Sequence, residues 1–469
     1  MKQSYFELID QTYYFPQPGF DIENGNLYFN NVSLKHMIDK YGTPLKISYL
    51  PRIGEQIKRV KNLFSKSIKA NGYKGKYNYC YCTKSSHFSF IIKEVLKYGV
   101  SLETSSSYDL DIILKLHEEG LITKNIKLVQ NGHKTDGYLQ KIAQLHNAGF
   151  KNLIVVLDSL HELDRLLPLI ESGTIQVGIR MAIDEEPQSA YYTSRMGIRP
   201  ADVMNFYKEK IADNPKVKLR MLHYFVDSGI KDTLYYWGLF QKGLNLYVEL
   251  KKQCESLSAF NIGGGLPIRN NLGFEYDYNY IINEIVRNIK DTCTSEGIDD
   301  PDIFTEFGRY TVGESGAIIF KTLEVKQQND AELWYIIDNS LMTTIPDSWS
   351  IFEKFILLPV NNWDKEYSKV NIGGITCDHS DYYNTEDLNQ QVFLPKIKNA
   401  DEEPLYMGFF HTGAYQDSIS GYGGLKHCLI PAPKHVVIER DENGLLRDYL
   451  FKDEQKVEDM LRILGFLDK

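Results

Sequence analysis

Apolar residues along this chain fall into two textures that change near residue 310. From about residue 75 to 306, short strand-like runs recur at 76–82, 98–103, 125–130, 152–157, 175–181, 217–225, 258–262 and 302–306. Between them, stretches such as Phe88 to Tyr98 and Ser107 to Glu119 space their apolar residues three or four apart, which predicts amphipathic helices. Strands alternating with helices predict a parallel sheet with crossover connections. Eight such strands are the number that closes a (β/α)8 barrel, an α/β fold. After residue 310 helical periodicity becomes sparse, and runs such as Trp334-Tyr335-Ile336-Ile337-Asp338 and His435-Val436-Val437-Ile438-Glu439 predict a second, mostly β domain. Near the start, Asn26-Leu27-Tyr28-Phe29 reads as extended, and this region is predicted to complete the carboxy-terminal sheet. The expected division is therefore 1–45 for an amino-terminal segment joining the β domain, 46–310 for the barrel and 311–469 for the β domain.

The length of 469 residues suits two domains with sizeable cores. A formal net charge of −9 opposes attraction to nucleic acid or to an anionic membrane surface and favours a small-molecule partner. The stretch Met1 to Asp10 lacks a signal-like apolar core, and no later run reaches membrane-spanning length, so a cytoplasmic location is expected. Six cysteines are few for this length and read as reduced thiols. The tight pair Cys80-Tyr81-Cys82 has no matching Cys or His cluster nearby, so no metal is expected.

In a closed barrel, functional groups collect at the carboxyl ends of the strands and in the loops that follow. Lys84, Glu103, Arg180, His223, Phe225, Gly263 to Gly265, Glu306 and Arg309 all fall at or just past predicted strand ends. Period-two alternation puts Cys80, Cys82 and Lys84 on one side, with the lysine nearest the rim, where a Schiff-base lysine would sit. A solvated strand-end lysine is the plainer reading of Lys84 alone. The turn Gly263-Gly264-Gly265 lets backbone N–H groups approach an anion, or simply serves as a tight turn. Arg309 offers a charge-assisted contact to the same anion. Glu306 would favour the protonated form of a facing pyridine nitrogen. A lysine, a phosphate cradle and an acidic ring partner are together the requirements of pyridoxal phosphate.

These motifs resemble the barrel-type pyridoxal-phosphate decarboxylases that act on ornithine, arginine and diaminopimelate, which share their barrel with alanine racemase. The likeness covers nearly the whole chain. It rests on Lys84-Ser85-Ser86, Gly263-Gly264-Gly265, Glu306-Phe307-Gly308-Arg309, Cys377-Asp378 and Gly413-Ala414-Tyr415, in the family's order. The resemblance implies that Lys84 carries the cofactor, that Glu306 pairs with its ring nitrogen, and that Ser228, Gly263, Gly264, Gly265, Arg309 and Tyr415 hold its phosphate. Glu103 and Arg180 match positions that frame the ring. It further implies a homodimer in which Cys377 of one subunit protonates the substrate's Cα in the other, and Asp378 faces the substrate's distal end. Two departures stand out: Phe225 occupies the place of a ring-stacking histidine, and Phe307 replaces a proline.

Cys377-Asp378-His379-Ser380-Asp381 carries two aspartates, so Asp378 and Asp381 are both expected to meet a cationic distal group. Asn131-Gly132-His133-Lys134, the 340–349 segment and Gly413-Ala414-Tyr415-Gln416 are similar to segments of biosynthetic arginine decarboxylases, although those bacterial enzymes carry an inserted helical segment that this chain lacks. The implied activity is decarboxylation of L-arginine to agmatine in polyamine synthesis. Ornithine, lysine, diaminopimelate and a carboxylated polyamine are alternative substrates of the same chemistry. An inactive regulatory homologue is a further alternative, opposed by the retention of Lys84, Glu306 and Cys377.

Overall fold

The computed structural model describes residues 14–185, 189, 191–384 and 392–468. The stretch Met1 to Asp10 read above lies outside the described residues. The chain forms two compact units, one of Gly54–Pro267 with Tyr276–Thr311, the other of residues up to Ile53 with Ile268–Glu275 and Val312 onward.

The first unit is the expected barrel. Its strands are β1 (Tyr77–Cys82), β2 (Ser101–Thr104), β3 (Leu128–Gln130), β4 (Leu153–Leu157), β5 (Ile175–Arg180), β6 (Val217–His223), β7 (Ala259–Asn261) and β8 (Asp302–Glu306). They are hydrogen-bonded in chain order and closed by parallel pairing of β8 with β1, where Glu306 stands beside Cys80. Closure leaves no free sheet edge. Cys80, Val129, Ile154, Val156, Met221, Ala259 and Phe304 form one fully buried cluster, in which small side chains face large ones and fill the space.

The crossover helices start where the sequence supplies caps. Ser106, Thr135, Thr233 and Asp277 each accept a backbone N–H from the first turn of the helix that follows. The cap at Ser106 is reciprocal, because the Asp109 carboxylate accepts the Ser106 N–H in return.

The second unit is built around the long strand Gly316–Asn329, whose first half pairs with Leu45–Tyr49 on one side and Tyr406–Phe410 on the other. Leu45–Tyr49 also pairs in parallel with Lys434–Arg440, so a segment from the start of the chain lies between two strands from its end. This moves the boundary expected at 45/46 to about residue 53, since all five residues of Leu45–Tyr49 are buried in this sheet and not in the barrel. Asn26–Phe29 instead joins a separate three-stranded sheet with Phe20–Glu23 and Val32–Ser33. No helix among the described residues is long and apolar enough to cross a membrane.

Candidate active site

The carboxyl ends of the barrel strands carry buried polar groups instead of the apolar residues that fill the layer beneath them. Arg180, His223 and Asn261 stand in register across β5, β6 and β7. Phe304 of β8 continues that row, and Glu306 follows two residues later, on the same face of the strand.

Glu306 is the best-held of these groups. The Asn131 side-chain N–H donates to its Oε2 at 2.9 Å, the Asn261 side-chain N–H donates to Oε1 at 2.7 Å, and His223 Nε2 lies 3.3 Å from Oε2. Burial opposes ionisation of Glu306, but His223, the Asn131 amide and the Lys84 ammonium outweigh it and hold the carboxyl below the usual glutamate range. Burial also lowers His223, which therefore stays neutral at neutral pH. The two amides and Lys84 are then what keep Glu306 charged there. Glu103, fully buried at the end of β2, moves the other way, because burial raises it against the pull of Lys84. Two carboxyls in one barrel mouth are thus pushed apart in acidity.

Lys84 lies two residues past β1, in the 3₁₀ turn Thr83–Ser85 and not on the strand itself. That turn interrupts the alternation expected from Cys80 and Cys82, both of which are buried while Lys84 is exposed. The turn is fixed from both sides. Ser85 Oγ donates to Cys82 O at 2.8 Å, and Thr83 Oγ1 donates to Glu103 O at 3.0 Å and to Asp109 Oδ1 at 3.1 Å. Asp109 also pairs with His87 Nε2 at 2.8 Å and accepts the Ser105 and Ser106 N–H groups. One buried aspartate therefore ties the loop after β1 to the loop after β2.

The glycine turn follows β7. The Gly263 N–H donates to Asn261 Oδ1 at 2.9 Å, so the residue that holds Glu306 also shapes the turn. A Cβ on Gly264 would lie 2.6 Å from Glu306 O, and one on Gly265, where φ is +96°, would lie 2.8 Å from Gly229 Cα. Only glycine fits. The Ile230 N–H bonds to Gly265 O at 2.8 Å, which brings the Ser228 loop beside the turn. The half-buried Phe225 ring borders the same glycines, with Cδ2 3.1 Å from the Cβ position of Gly263. Arg309 opens the short helix Arg309–Val312 just beyond β8, and Arg180 closes β5, where burial lowers its pKa against the charges of Asp158, Glu306 and Glu103.

Cys377, Asp378, Asp381 and Tyr415 belong to the second unit. Cys377 is exposed on the loop between the strands Asn371–Gly373 and Tyr382–Tyr383, with Sγ 3.4 Å from Cys428 Sγ. Asp378 is half-buried, and its Oδ2 lies 3.8 Å from His427 Nε2. Asp381 departs from expectation. It is buried, and its Oδ1 accepts from Ser340 Oγ, the Leu341 N–H and the Met342 N–H at 3.1, 2.8 and 3.1 Å. Its Oδ2 accepts from Thr376 Oγ1 at 2.7 Å and from the Thr376 N–H at 3.2 Å. A carboxylate with both oxygens committed to the protein is a loop anchor, which corrects its reading as a substrate-facing group. Gly374 is part of the same device, since a Cβ there would lie 2.1 Å from Asp381 Oδ2. Tyr415 directly precedes the short helix Gln416–Ile419, with φ +69°.

Sequence reasoning named Asn131 only within a segment similar to arginine decarboxylases and did not name Asn261, and it missed the hold of both amides on Glu306. Asn261 ends the otherwise apolar strand Ala259–Asn261 and Asn131 directly follows the buried Leu128-Val129-Gln130, and polar residues at those places in buried strands were the available signal.

Residues 52–313 match the model of the pyridoxal-dependent decarboxylase pyridoxal-binding domain. The chain is 22% identical, over 91% of its length and 82% of the relative's, to a biosynthetic arginine decarboxylase of Prochlorococcus marinus. It is 21% identical, over 90% of its length and 82% of the relative's, to one of Thermosynechococcus vestitus. Its fold is similar to the crystal structure of the biosynthetic arginine decarboxylase of Campylobacter jejuni, with a TM-score of 0.78 at 20% identity, covering 95% of this chain and 89% of that one. It is also similar to diaminopimelate decarboxylase of M. jannaschii in complex with L-lysine, with a TM-score of 0.77 at 17% identity, covering 95% and 97%. With its barrel closed, its strand ends polar and more than half its length matched to the family's own domain, the chain belongs to the pyridoxal-dependent decarboxylases.

Proposed function

We propose that this enzyme decarboxylates L-arginine to agmatine and CO2, using pyridoxal 5'-phosphate and acting as a cytoplasmic homodimer whose active site is completed by a second copy of the chain. The observation that carries the cofactor assignment is Glu306, a buried carboxyl held ionised at the barrel mouth by two amides. An ionised carboxylate has about four acceptor sites, and the two amide bonds leave capacity for one more donor, such as a protonated ring nitrogen. The glycine turn fits a phosphate, and the buried Nδ1 of His223 and Oδ1 of Asn131 suit a polar occupant. When bound, the cofactor supplies a sink for the electron pair left at Cα as CO2 departs.

The remaining work falls to this chain's own residues. Lys84 would provide the amine that holds the cofactor, and the anchored Thr83–Ser85 turn fixes where that side chain starts. Glu306 would favour the protonated ring nitrogen, Glu103 and Arg180 would stand beside the ring, and Phe225 would offer it an apolar face. Gly263, Gly264, Gly265, Ser228, Arg309 and Tyr415 hold the phosphate. Cys377 of the second copy carries at Sγ the proton that replaces CO2 at Cα. Asp378 beside it takes the guanidinium, since a carboxylate matches a planar cation and repels the second carboxylate of diaminopimelate.

The names of the similar relatives support arginine, and the likeness in fold to a diaminopimelate decarboxylase makes diaminopimelate the main rival. CO2 release should be measured with arginine, ornithine, lysine, diaminopimelate and a carboxylated polyamine. Arginine is expected to give the highest kcat/KM, and none from arginine rejects the assignment. Lys84→Ala is expected to lower the rate by about 10⁴-fold or more and to abolish the visible absorbance of the holoenzyme.

A further inference from the structure

Cys377 and Cys428 are the two exposed cysteines among the described residues, and the other four are buried. The pair lies 51 residues apart in sequence, yet their sulfurs are 3.4 Å apart. A disulfide needs about 2.0 Å, so closure takes a shift of about 1.4 Å, within the reach of side-chain rotation.

Their proximity is built in from both sides. On one side, Asp381 ties the Cys377 loop to the start of the short helix Leu341–Thr344 through the Leu341 and Met342 N–H groups. On the other, the Lys426 ammonium donates to Thr343 O at 2.9 Å, which tethers the Cys428 segment to the same helix. Cys428 and Leu429 adopt φ of +55° and +54°, a left-handed backbone that is costly for a non-glycine residue. That cost is borne where the thiol is turned toward Cys377. A ring nitrogen of His427 lies within 4.8 Å of both sulfurs.

We propose that Cys377 and Cys428 form a reversible dithiol–disulfide pair, a modification site on the loop that carries the proton donor, so that its oxidation stops turnover. The loss of turnover rests on the role given to Cys377 under Proposed function, whereas formation of the disulfide does not. With hydrogen peroxide as oxidant, one thiol loses its proton to solvent and its sulfur attacks a peroxide oxygen. The O–O bond breaks, and a sulfenic acid and one water result. The second sulfur then attacks the first, the S–S bond forms, the S–O bond breaks and a second water leaves. Each sulfur loses one electron overall, and the two peroxide oxygens gain them. A neighbouring thiol thereby intercepts the sulfenic acid before it reaches the irreversible sulfinic state.

The test treats holoenzyme with hydrogen peroxide, alkylates the remaining thiols and maps the peptides by mass. Cross-linked Cys377 and Cys428 peptides, two hydrogens lighter than the reduced pair, are expected, with a fall in CO2 release of about 10²-fold and recovery of both with dithiothreitol. Cys428→Ser should start with unchanged activity, form no cross-link, and lose activity to peroxide without recovery. Full alkylation of both thiols after peroxide overturns the proposal, as does a cross-link from Cys377 to its counterpart in a second copy. Protection of both thiols by Zn²⁺ alone, with no cross-link on oxidation, also overturns it and makes the cluster a metal site. A cross-link with undiminished CO2 release overturns the switch and the proton-donor role of Cys377, while the disulfide itself stands.

Discussion

The barrel mouth and the Cys377 loop solve different problems with different materials. At the barrel mouth, Glu306 is positioned by residues at or directly after the ends of three other strands, Asn131, His223 and Asn261, so its place is set by the closure of the whole sheet. In the loop, Cys377 is positioned by one buried carboxylate, Asp381, whose two oxygens gather five donors from two short segments. A charge that must be stabilised throughout a reaction belongs on rigid, desolvated strand ends, where electrostatic preorganisation costs nothing at the moment of reaction. The proton proposed for Cys377 would sit on an exposed loop, and loops present reactive groups that a scaffold fixes. The first design draws on three strand ends, and the second chiefly on one carboxylate, with the Ile375 N–H donating to Asn339 O at 3.2 Å beside it.

The largest effect should come from changing charge without shape at the barrel mouth. Glu306→Gln keeps volume but removes the charge, and its own N–H₂ then faces the N–H₂ of Asn131 or Asn261. A fall in kcat of about 10²–10³-fold is expected, the usual cost of losing one preorganised electrostatic partner. If steady-state CO2 release falls by less than about tenfold, Glu306 is not the group that governs the reaction and the contrast between the two regions collapses.

Removing the loop anchor should be smaller and different in kind. Asp381→Ala leaves several donors without their acceptor, each at a cost of about 1–3 kcal/mol where no water replaces it. The loop then shifts, and kcat should drop by about 10-fold to 10²-fold, the scale of a misplaced catalytic group. Cofactor affinity, read by titrating the visible absorbance of the apoenzyme with pyridoxal phosphate, should not change. If instead KM for arginine rises with kcat intact, Asp381 contacts substrate. Asp378→Asn supplies the reference, because a rise in KM for arginine of about tenfold, with little change for uncharged analogues, is expected there.

Much of the barrel was legible in the sequence because each strand is a local apolar run set off by helical spacing. β8 is expected at 302–306 and found there. β2 is expected at 98–103 but starts at Ser101, because Gly99 at φ +59° turns the chain out of the preceding helix first. What escaped depends on distant partners. Leu45–Tyr49 reads like one more apolar strand, and only its pairing with Gly316–Asn329 and Lys434–Arg440 assigns it to the second unit. Glu306 could be singled out by its charge, whereas Asn131 and Asn261 gain their meaning only when the sheet closes. Asp378 and Asp381 look alike in sequence, and burial separates an available carboxylate from a consumed one.

The smallest effect concerns acid stability, and it separates a histidine inside the site from one outside it. Burial lowers His223 at the barrel mouth, and burial together with the nearby Lys46 ammonium pushes His435 in the second unit down to about 3. Below about 6.5 the unfolded chain takes up a proton that each folded histidine refuses, so folded stability falls as pH drops. For His435 this loss runs at roughly 1.4 kcal/mol per pH unit until the pH approaches its folded value. Replacing either histidine by glutamine removes the titration, so the loss in urea-unfolding stability between pH 6.5 and 5 should shrink by about 1.6 kcal/mol in His435→Gln and shrink in the same direction in His223→Gln. His435 Nε2 lies 2.9 Å from Ser48 Oγ, a bond that glutamine can replace, so His435→Gln should leave kcat unchanged. His223→Gln should change acid stability and kcat together, because His223 lies 3.3 Å from Glu306 Oε2. Equal kcat values for the two variants would mean that the barrel mouth tolerates loss of a neighbour of Glu306, and that its redundancy is deeper than two amides.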